Sequence, residues 1–131
     1  MRYLLCLIGG VLLGGMLALS VANALQRRNA WPRAVMNVMQ HELGSLRDAA
    51  PGGPCGDGAA QSSLAHLNLL SGDIQRALLA PGTKDAVFVR YANDLHETIV
   101  KAQGAGADCA RQSAAVTEIS NACDACHRDY R

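Results

Sequence analysis

The sequence predicts an all-α protein that folds as an up-down-up-down antiparallel four-helix bundle. Of its 131 residues, 50% are hydrophobic but only 4% are aromatic, a composition that favours helices over a sheet. After an apolar N-terminal segment, four stretches carry apolar residues at spacings of three and four, and segments rich in glycine or proline separate most of them. Four helices of about 18 to 22 residues with short connections pack as antiparallel neighbours.

Residues 1–24 have the organisation of a secretory signal peptide. Arg2 provides a basic start, an apolar run follows, and Ala22-Asn23-Ala24 has the small residues that a signal peptidase recognises. We predict cleavage after Ala24, export to a bacterial periplasm, and a mature four-helix domain spanning residues 25–131. The segment is also about long enough to span a bilayer, so an uncleaved anchor is the alternative.

The first two helical stretches flank a loop. Pro32 suits the first turn of the first helix, where its missing N–H costs nothing. Residues 50–58 are rich in proline and glycine and predict a loop, and Pro81-Gly82 ends the second helix. The apolar stripe of the first helix comprises Met36, Met39, Leu43 and Leu46, and that of the second comprises Leu64, Leu67, Leu70, Ile74 and Leu78.

The third and fourth helices are bounded by cap residues and glycines. Thr83 can cap the third helix, and Gly104-Ala105-Gly106 ends it. The fourth helix is expected to begin near Asp108. The inward face of the third helix comprises Phe88, Ala92, Leu95, Ile99 and Ala102, and that of the fourth comprises Gln112, Val116, Ile119, Cys123 and Cys126.

The last predicted helix carries the motif Cys123-Asp124-Ala125-Cys126-His127. A C-x-x-C-H run is the attachment signature of a c-type haem. On a helix the two cysteines lie one turn apart, and His127 lies about 40° around from Cys123, so all three side chains project into one sector. Two thiols can then bond to the two vinyl groups of the porphyrin while the imidazole reaches the iron.

Two other interpretations of the cysteine pair are less favoured. A zinc site needs a second pair of ligands, and the sequence contains no second C-x-x-C and no H-x-x-x-H. A redox dithiol usually opens a helix in a βαβ unit, whereas nothing upstream of Cys123 predicts a strand.

Two further cysteines remain for a disulfide. Cys6 leaves with the signal peptide, and the haem uses Cys123 and Cys126, so Cys55 and Cys109 are left in an oxidising compartment. In an up-down bundle the loop holding Cys55 and the start of the fourth helix share one end. We predict a disulfide there, with two free thiols or an intermolecular bridge as the alternatives.

With four helices and a C-terminal C-x-x-C-H, residues 30–131 resemble the class II cytochromes c, the cytochrome c-prime family. The most specific match is the segment from Cys123 to Arg131. Weaker matches are Pro81-Gly82-Thr83 and the segment from Val35 to Met39.

The resemblance implies roles for individual residues. Cys123 and Cys126 would be the thioether anchors of one haem c, and His127 the proximal ligand. Arg131 matches a basic residue that neighbours the proximal imidazole. Met36 falls at the distal position, which holds a hydrophobic residue in the high-spin, gas-binding branch and an iron-bound Met in a low-spin branch.

The distal side also departs from the family pattern. The basic residue that often precedes the distal position by one turn is Pro32 here, so Arg33 or Arg28 is expected to meet the haem propionates. Met36 lies about 9 Å in from the predicted start of its helix, comparable to the depth of His127 from its own end. We therefore predict ligation of the iron by His127 and Met36.

These expectations point to an exported mono-haem cytochrome that transfers single electrons, with a five-coordinate haem that binds nitric oxide or carbon monoxide as the alternative. No acid–base pair or nucleophile accompanies the motif, so no enzyme is predicted.

The net charge of +1 and the scarcity of aromatic residues argue against nucleic acid as a partner. Arginines near the haem end favour an acidic redox protein as partner, and the family resemblance implies that a homodimer can form. No membrane association is expected after cleavage.

Overall fold

In a computed structural model, residues 2–49, 58–104 and 108–130 are described, except the side chains at 2, 4–6, 26–29 and 109. These residues form four helices, α1 (Arg2–Ala49), α2 (Gly58–Leu78), α3 (Ala86–Gln103) and α4 (Cys109–Asp129), and the described ranges contain no strand. The all-α, four-helix prediction is confirmed. The chain divides into two compact units between Ala34 and Val35.

The N-terminal unit contains the first part of α1. Leu7–Leu25 is long and apolar enough to cross a membrane, with a mean hydropathy of 1.8, and none of it is buried within the protein. A signal sequence has the same properties, so cleavage after Ala24 stays a prediction. The expected start of the first helix near Pro32 is wrong, because Pro32 lies inside α1. The upstream segment is rich in Ala and Leu, whose high helix propensity extends the helix to Arg2.

Side-chain pairs show how the helices of the second unit run relative to one another. Tyr91 pairs with Asp129 and Lys101 with Glu118, so α3 and α4 are antiparallel. The pairs Gln75–Asn93 and Ser71–His96 show the same for α2 and α3. Glu42 of α1 contacts His66 of α2, and Arg47 of α1 bonds to Ser120 of α4. The later part of α1 therefore contacts both α2 and α4.

The core of this unit is built from the inward faces of all four helices. Leu46, Leu67, Ile99 and Ile119 are among its most deeply buried side chains. Nearly every apolar position expected on an inward face lies in this core or packs against it. Gln112 is also buried, as its position on that face implied, and neither heteroatom of its side-chain amide has a hydrogen-bond partner.

The N-cap of α3 is Asp85, not Thr83 as expected. The Asp85 carboxylate accepts the backbone N–H groups of Val87 and Phe88, while the Thr83 N–H donates to Ala80 within the preceding turn. Gly82 adopts a φ of +82° in that turn, a conformation that favours glycine. Because Thr83 belongs to the turn, Asp85 is the first residue after the turn with a side chain that can cap the helix. Asp108 caps α4 as expected.

Asp85→Asn is expected to lower the thermal unfolding midpoint at neutral pH. Hydrogen bonds from the Phe88 N–H and from the Tyr130 hydroxyl hold the pKa of Asp85 below its usual value. The charged carboxylate thus stabilises the fold above its unfolded pKa of about 3.9, and this contribution is lost as the pH falls through the lower folded value. Asn still caps a helix.

Circular dichroism melting curves recorded from neutral to strongly acidic pH test this expectation. The difference in unfolding midpoint between wild type and Asp85→Asn should disappear as the pH is lowered. Asp94→Asn, which changes an exposed residue of the same helix, should leave the midpoint nearly unchanged. A gap that persists unchanged in strong acid would show that the charge of Asp85 does not stabilise the fold.

The predicted disulfide lies outside the part of the chain that can be assessed. Cys55 is outside the described residues, and so is the side chain of Cys109. The Cys55–Cys109 bridge stays a prediction, which the antiparallel course of the helices supports.

Candidate haem site

The C-terminal turns of α4 bring the three motif side chains to one cavity. Cys123, Cys126 and His127 all line a cavity of about 260 Å³, and Met36 of α1 lines it as well. The two cysteines are half-buried and have no disulfide partner, and His127 is exposed. The structure thus places together the four residues that the sequence assigned to the iron and the thioethers.

The electrostatics of the two thiols favour their neutral forms. Burial, then the charge of Asp124 and the neighbouring Cys126 thiol, raises the pKa of Cys123. Burial, then the charge of Asp129, raises the pKa of Cys126. Dithiol exchange requires a thiolate, so a raised pKa argues against the redox interpretation. Among the described residues no group of three or more His, Cys, Asp or Glu side chains could hold a metal ion, which argues against zinc. Thioether formation, in contrast, leaves uncharged sulfur atoms that suit a half-buried position.

The remaining walls of the cavity are mostly apolar. They come from all four helices and comprise Met39, Leu43, Leu67, Ile74, Ala92, Leu95 and Ile119. A porphyrin needs such walls because its flat faces are apolar. Two thiols one turn apart, an adjacent imidazole and apolar walls are therefore a set of residues that fits a covalently attached haem.

Both methionines of the first amphipathic stripe reach this cavity. Met39 was expected to fill the core and is 6% exposed, whereas Met36 is half-buried. Each lines the cavity, so Met36 is placed as predicted and Met39 is a second thioether in the same wall.

The arginine in the cavity wall is Arg47, which differs from the arginines expected there. Arg33 is exposed and belongs to the N-terminal unit, and Arg131 lies outside the described residues. Arg47 lines the cavity and donates a hydrogen bond to the Ser120 hydroxyl. Arg47 lies three turns along α1 from Met36, a spacing that keeps two residues on one helix face. This spacing from Met36 is the feature of the sequence that could have identified Arg47 as a cavity residue.

Tyr91 of α3 also lines the cavity and was not predicted. Its ring contacts that of Tyr130, which follows α4 and packs edge-on against the buried Phe88. The Tyr130 hydroxyl donates to the Asp85 carboxylate, so the chain end after the motif is fastened to the start of α3.

Comparison with known proteins supports this description. The chain matches a crystal structure of cytochrome c′ from Rubrivivax gelatinosus with a TM-score of 0.66 and 25% sequence identity, over 78% of this chain and 92% of that one. The chain resembles a cytochrome c′. No family model matches the sequence, and a search of curated proteins found no relative. The likeness to cytochrome c′ agrees with the resemblance carried by the C-terminal motif, but it gives no support to a Met-ligated, low-spin branch.

Proposed function

We propose that this chain is an exported c-type cytochrome that holds one haem c covalently through Cys123 and Cys126, with His127 as the proximal ligand. The observation that carries the proposal is the convergence of these three side chains on one mostly apolar cavity. The similarity to cytochrome c′ supports it independently. The bound haem supplies a one-electron redox centre.

The chain's own residues would set the properties of that centre. Leu43, Leu67 and Leu95 exclude water from the cavity, because each is buried where it lines the wall. The positive charge of Arg47 disfavours an additional positive charge in the cavity, so it favours the reduced state of a bound haem. His127 lies at the exposed side of the cavity, where an electron can reach a docked partner.

We propose electron transfer through a six-coordinate haem as the first function, with Met36 as the ligand opposite His127. The position of Met36 in the cavity wall supports this assignment. The second candidate is a five-coordinate haem that binds nitric oxide or carbon monoxide. It is favoured by the likeness to cytochrome c′ and by the apolar residues on the α1 side of the cavity, which are suited to a small uncharged ligand.

The absorption spectrum of the purified holoprotein separates the two functions. Ligation by Met36 predicts a low-spin iron with a sulfur-to-iron band in the far red when oxidised. Met36→Ala should remove the band and convert the iron to high spin, because the sixth ligand is lost. Met39→Leu, a change that conserves volume in the same wall, should leave the spectrum unaltered.

A wild-type spectrum that is already high spin, with rapid binding of carbon monoxide, would contradict ligation by Met36 and establish the gas-binding function. Loss of the band in Met39→Leu but not in Met36→Ala would move the axial ligand to Met39. A chain without haem, shown by the pyridine haemochrome assay, would contradict both functions.

We also propose a redox protein as the partner, docking beside the exposed side of the cavity. The exposed Arg128 next to His127 is offset by the exposed Asp124 and Asp129, so the proposal of an acidic partner rests on the arginines that the sequence places near the haem end. Electrostatics would act chiefly on the rate of association. We also propose export to the periplasm, because the apolar N-terminal helix has the length and composition of a signal sequence. Export agrees with this function.

A further inference from the structure

Two tyrosines connect the cavity with the surface at the end of α4. Tyr91 lines the cavity, and its ring centroid lies 6.2 Å from that of Tyr130, with the two planes at 77°. The Tyr130 ring also packs edge-on against Phe88, at 5.2 Å between centroids, and remains half-buried. Rings in direct contact exchange electrons readily, because electron tunnelling weakens steeply with distance.

Each phenol has a carboxylate as its hydrogen-bond acceptor. The Tyr91 hydroxyl donates to Asp129 at 2.7 Å, and the Tyr130 hydroxyl lies 2.9 Å from both carboxylate oxygens of Asp85. Partial burial and the bond to Asp85 raise the pKa of Tyr130, so Tyr130 is a neutral phenol at neutral pH. A phenol that loses an electron becomes a strong acid. A carboxylate already bonded to the hydroxyl can take up that proton, which makes oxidation of the ring easier.

We propose that Tyr91 and Tyr130 form a relay that carries oxidising equivalents from the haem cavity to the surface when a peroxide reacts there. The proposal rests on the proposed haem function in its five-coordinate form, because ligation by Met36 would leave no position for the peroxide. Each phenol gives up one electron and one proton. The peroxide O–O bond breaks and takes up both electrons and both protons, so two tyrosines and one hydrogen peroxide yield two tyrosyl radicals and two waters. A small one-electron reductant of the ascorbate class then returns an electron and a proton to each tyrosyl radical.

The direction of the relay follows from the charges around it. The Arg90 guanidinium lies 5.6 Å from the centroid of the Tyr91 ring and disfavours further positive charge on that ring. The charges of Asp85 and Asp129 act on Tyr130 instead, and because they are negative they favour the loss of an electron from that ring. The first oxidising equivalent that reaches Tyr91 therefore moves on to Tyr130, whose proton passes to Asp85, and the second stays on Tyr91, whose proton passes to Asp129. Each carboxylate then releases its proton to solvent, from which the peroxide takes up its two protons. If Tyr130 only held the C-terminal residues against α3, its hydrogen bond to Asp85 would be sufficient. That role would not require Tyr91 in the cavity wall.

The experiment mixes the holoprotein with hydrogen peroxide and freezes it within milliseconds for electron paramagnetic resonance. Wild type should give a tyrosyl signal, and peptide mass mapping should place the oxidation on Tyr91 and Tyr130. The double variant Tyr91→Phe/Tyr130→Phe keeps both rings and should lose the signal, and its haem should bleach several-fold faster. Trp31→Phe is the matched control, because Trp31 is an exposed, oxidisable aromatic residue of the N-terminal unit that stays in the mature chain, and it should behave as wild type.

The outcomes separate the relay from the haem function. A double variant that retains its haem, as shown by the haemochrome assay, and still gives the wild-type radical would overturn the relay. Oxidation that maps to Trp31 in the wild type would overturn it as well. Tyr130→Trp supplies a second readout, because an oxidisable ring at this position should restore protection of the haem with a different radical spectrum, whereas a purely structural role predicts no rescue. A chain that carries no haem would overturn the proposed function together with the relay.

Discussion

The double variant Cys123→Ala/Cys126→Ala is expected to carry no covalently attached haem. Both sulfur atoms that could form thioethers are removed, while His127 remains and could hold a haem only by reversible coordination. The variant should also be less stable, because its cavity lacks a permanently attached ligand. An unfilled volume of about 260 Å³ costs up to about 6 kcal/mol at roughly 24 cal/mol per Å³. This value is an upper limit, since the exposed side chain of His127 shows that the cavity reaches solvent.

A denaturing gel stained for haem measures the covalent attachment, and thermal unfolding measures the stability. Each single cysteine variant should keep one thioether and stain more weakly than wild type. Asp124→Asn is the matched control, because it changes an exposed residue between the two cysteines and leaves both thiols in place. Haem that stays with the double variant on the gel would show that the attachment site lies elsewhere.

The helical architecture was predictable because each helix buries one face. In each helix the apolar residues recur with the helical period, and one member of each series is the most deeply buried residue of its helix: Leu46, Leu67, Ile99 and Ile119. The boundaries were less predictable. The start of α1 depends on the propensity of the upstream segment, which overrode the signal at Pro32.

The attachment residues of the site were predictable, but much of its wall was not. Cys123, Cys126 and His127 follow from spacing along one helix, which is a local property. The places of Arg47 and Tyr91 depend on the register between helices, and one sequence does not reveal which residues of neighbouring helices meet. The expected role of Arg33 stays a prediction, since the resemblance gives a position along the chain and Arg33 belongs to the N-terminal unit.

Buried polar groups were a second aspect that the sequence could not resolve. The periodic pattern placed Gln112 on the inward face of α4, and the structure confirms its burial. Only the structure shows that its side-chain amide has no partner. Ser71 is similarly buried but its hydroxyl bonds to the half-buried His96 of α3. Hydrogen-bond partners across helices depend on side-chain geometry, whereas the hydrophobic period reports only which face is buried.

Ile99→Ala is expected to destabilise the bundle by about 2 to 5 kcal/mol, the range for removing a large aliphatic side chain from a close-packed core. Ile99 is 0% exposed and belongs to α3, the helix that contacts both α2 and α4. The surrounding helices are held by the side-chain pairs on either side of α3, so they can close only part of the resulting space. Ile99→Val removes one methylene and should cost about 0.5 to 1.5 kcal/mol.

Denaturant unfolding of the holoproteins measures this series, and Val100→Ala provides the matched control. Val100 is the next residue on α3 but is 47% exposed, so its truncation should change stability by no more than about 0.5 kcal/mol. The native haem spectrum should not change in any of the three variants, because neither Ile99 nor Val100 lines the cavity. Equal losses for Ile99→Ala and Val100→Ala would mean that α3 does not face the core through Ile99. In that case the antiparallel packing of α3 between α2 and α4, which positions Tyr91 in the cavity wall, would be wrong.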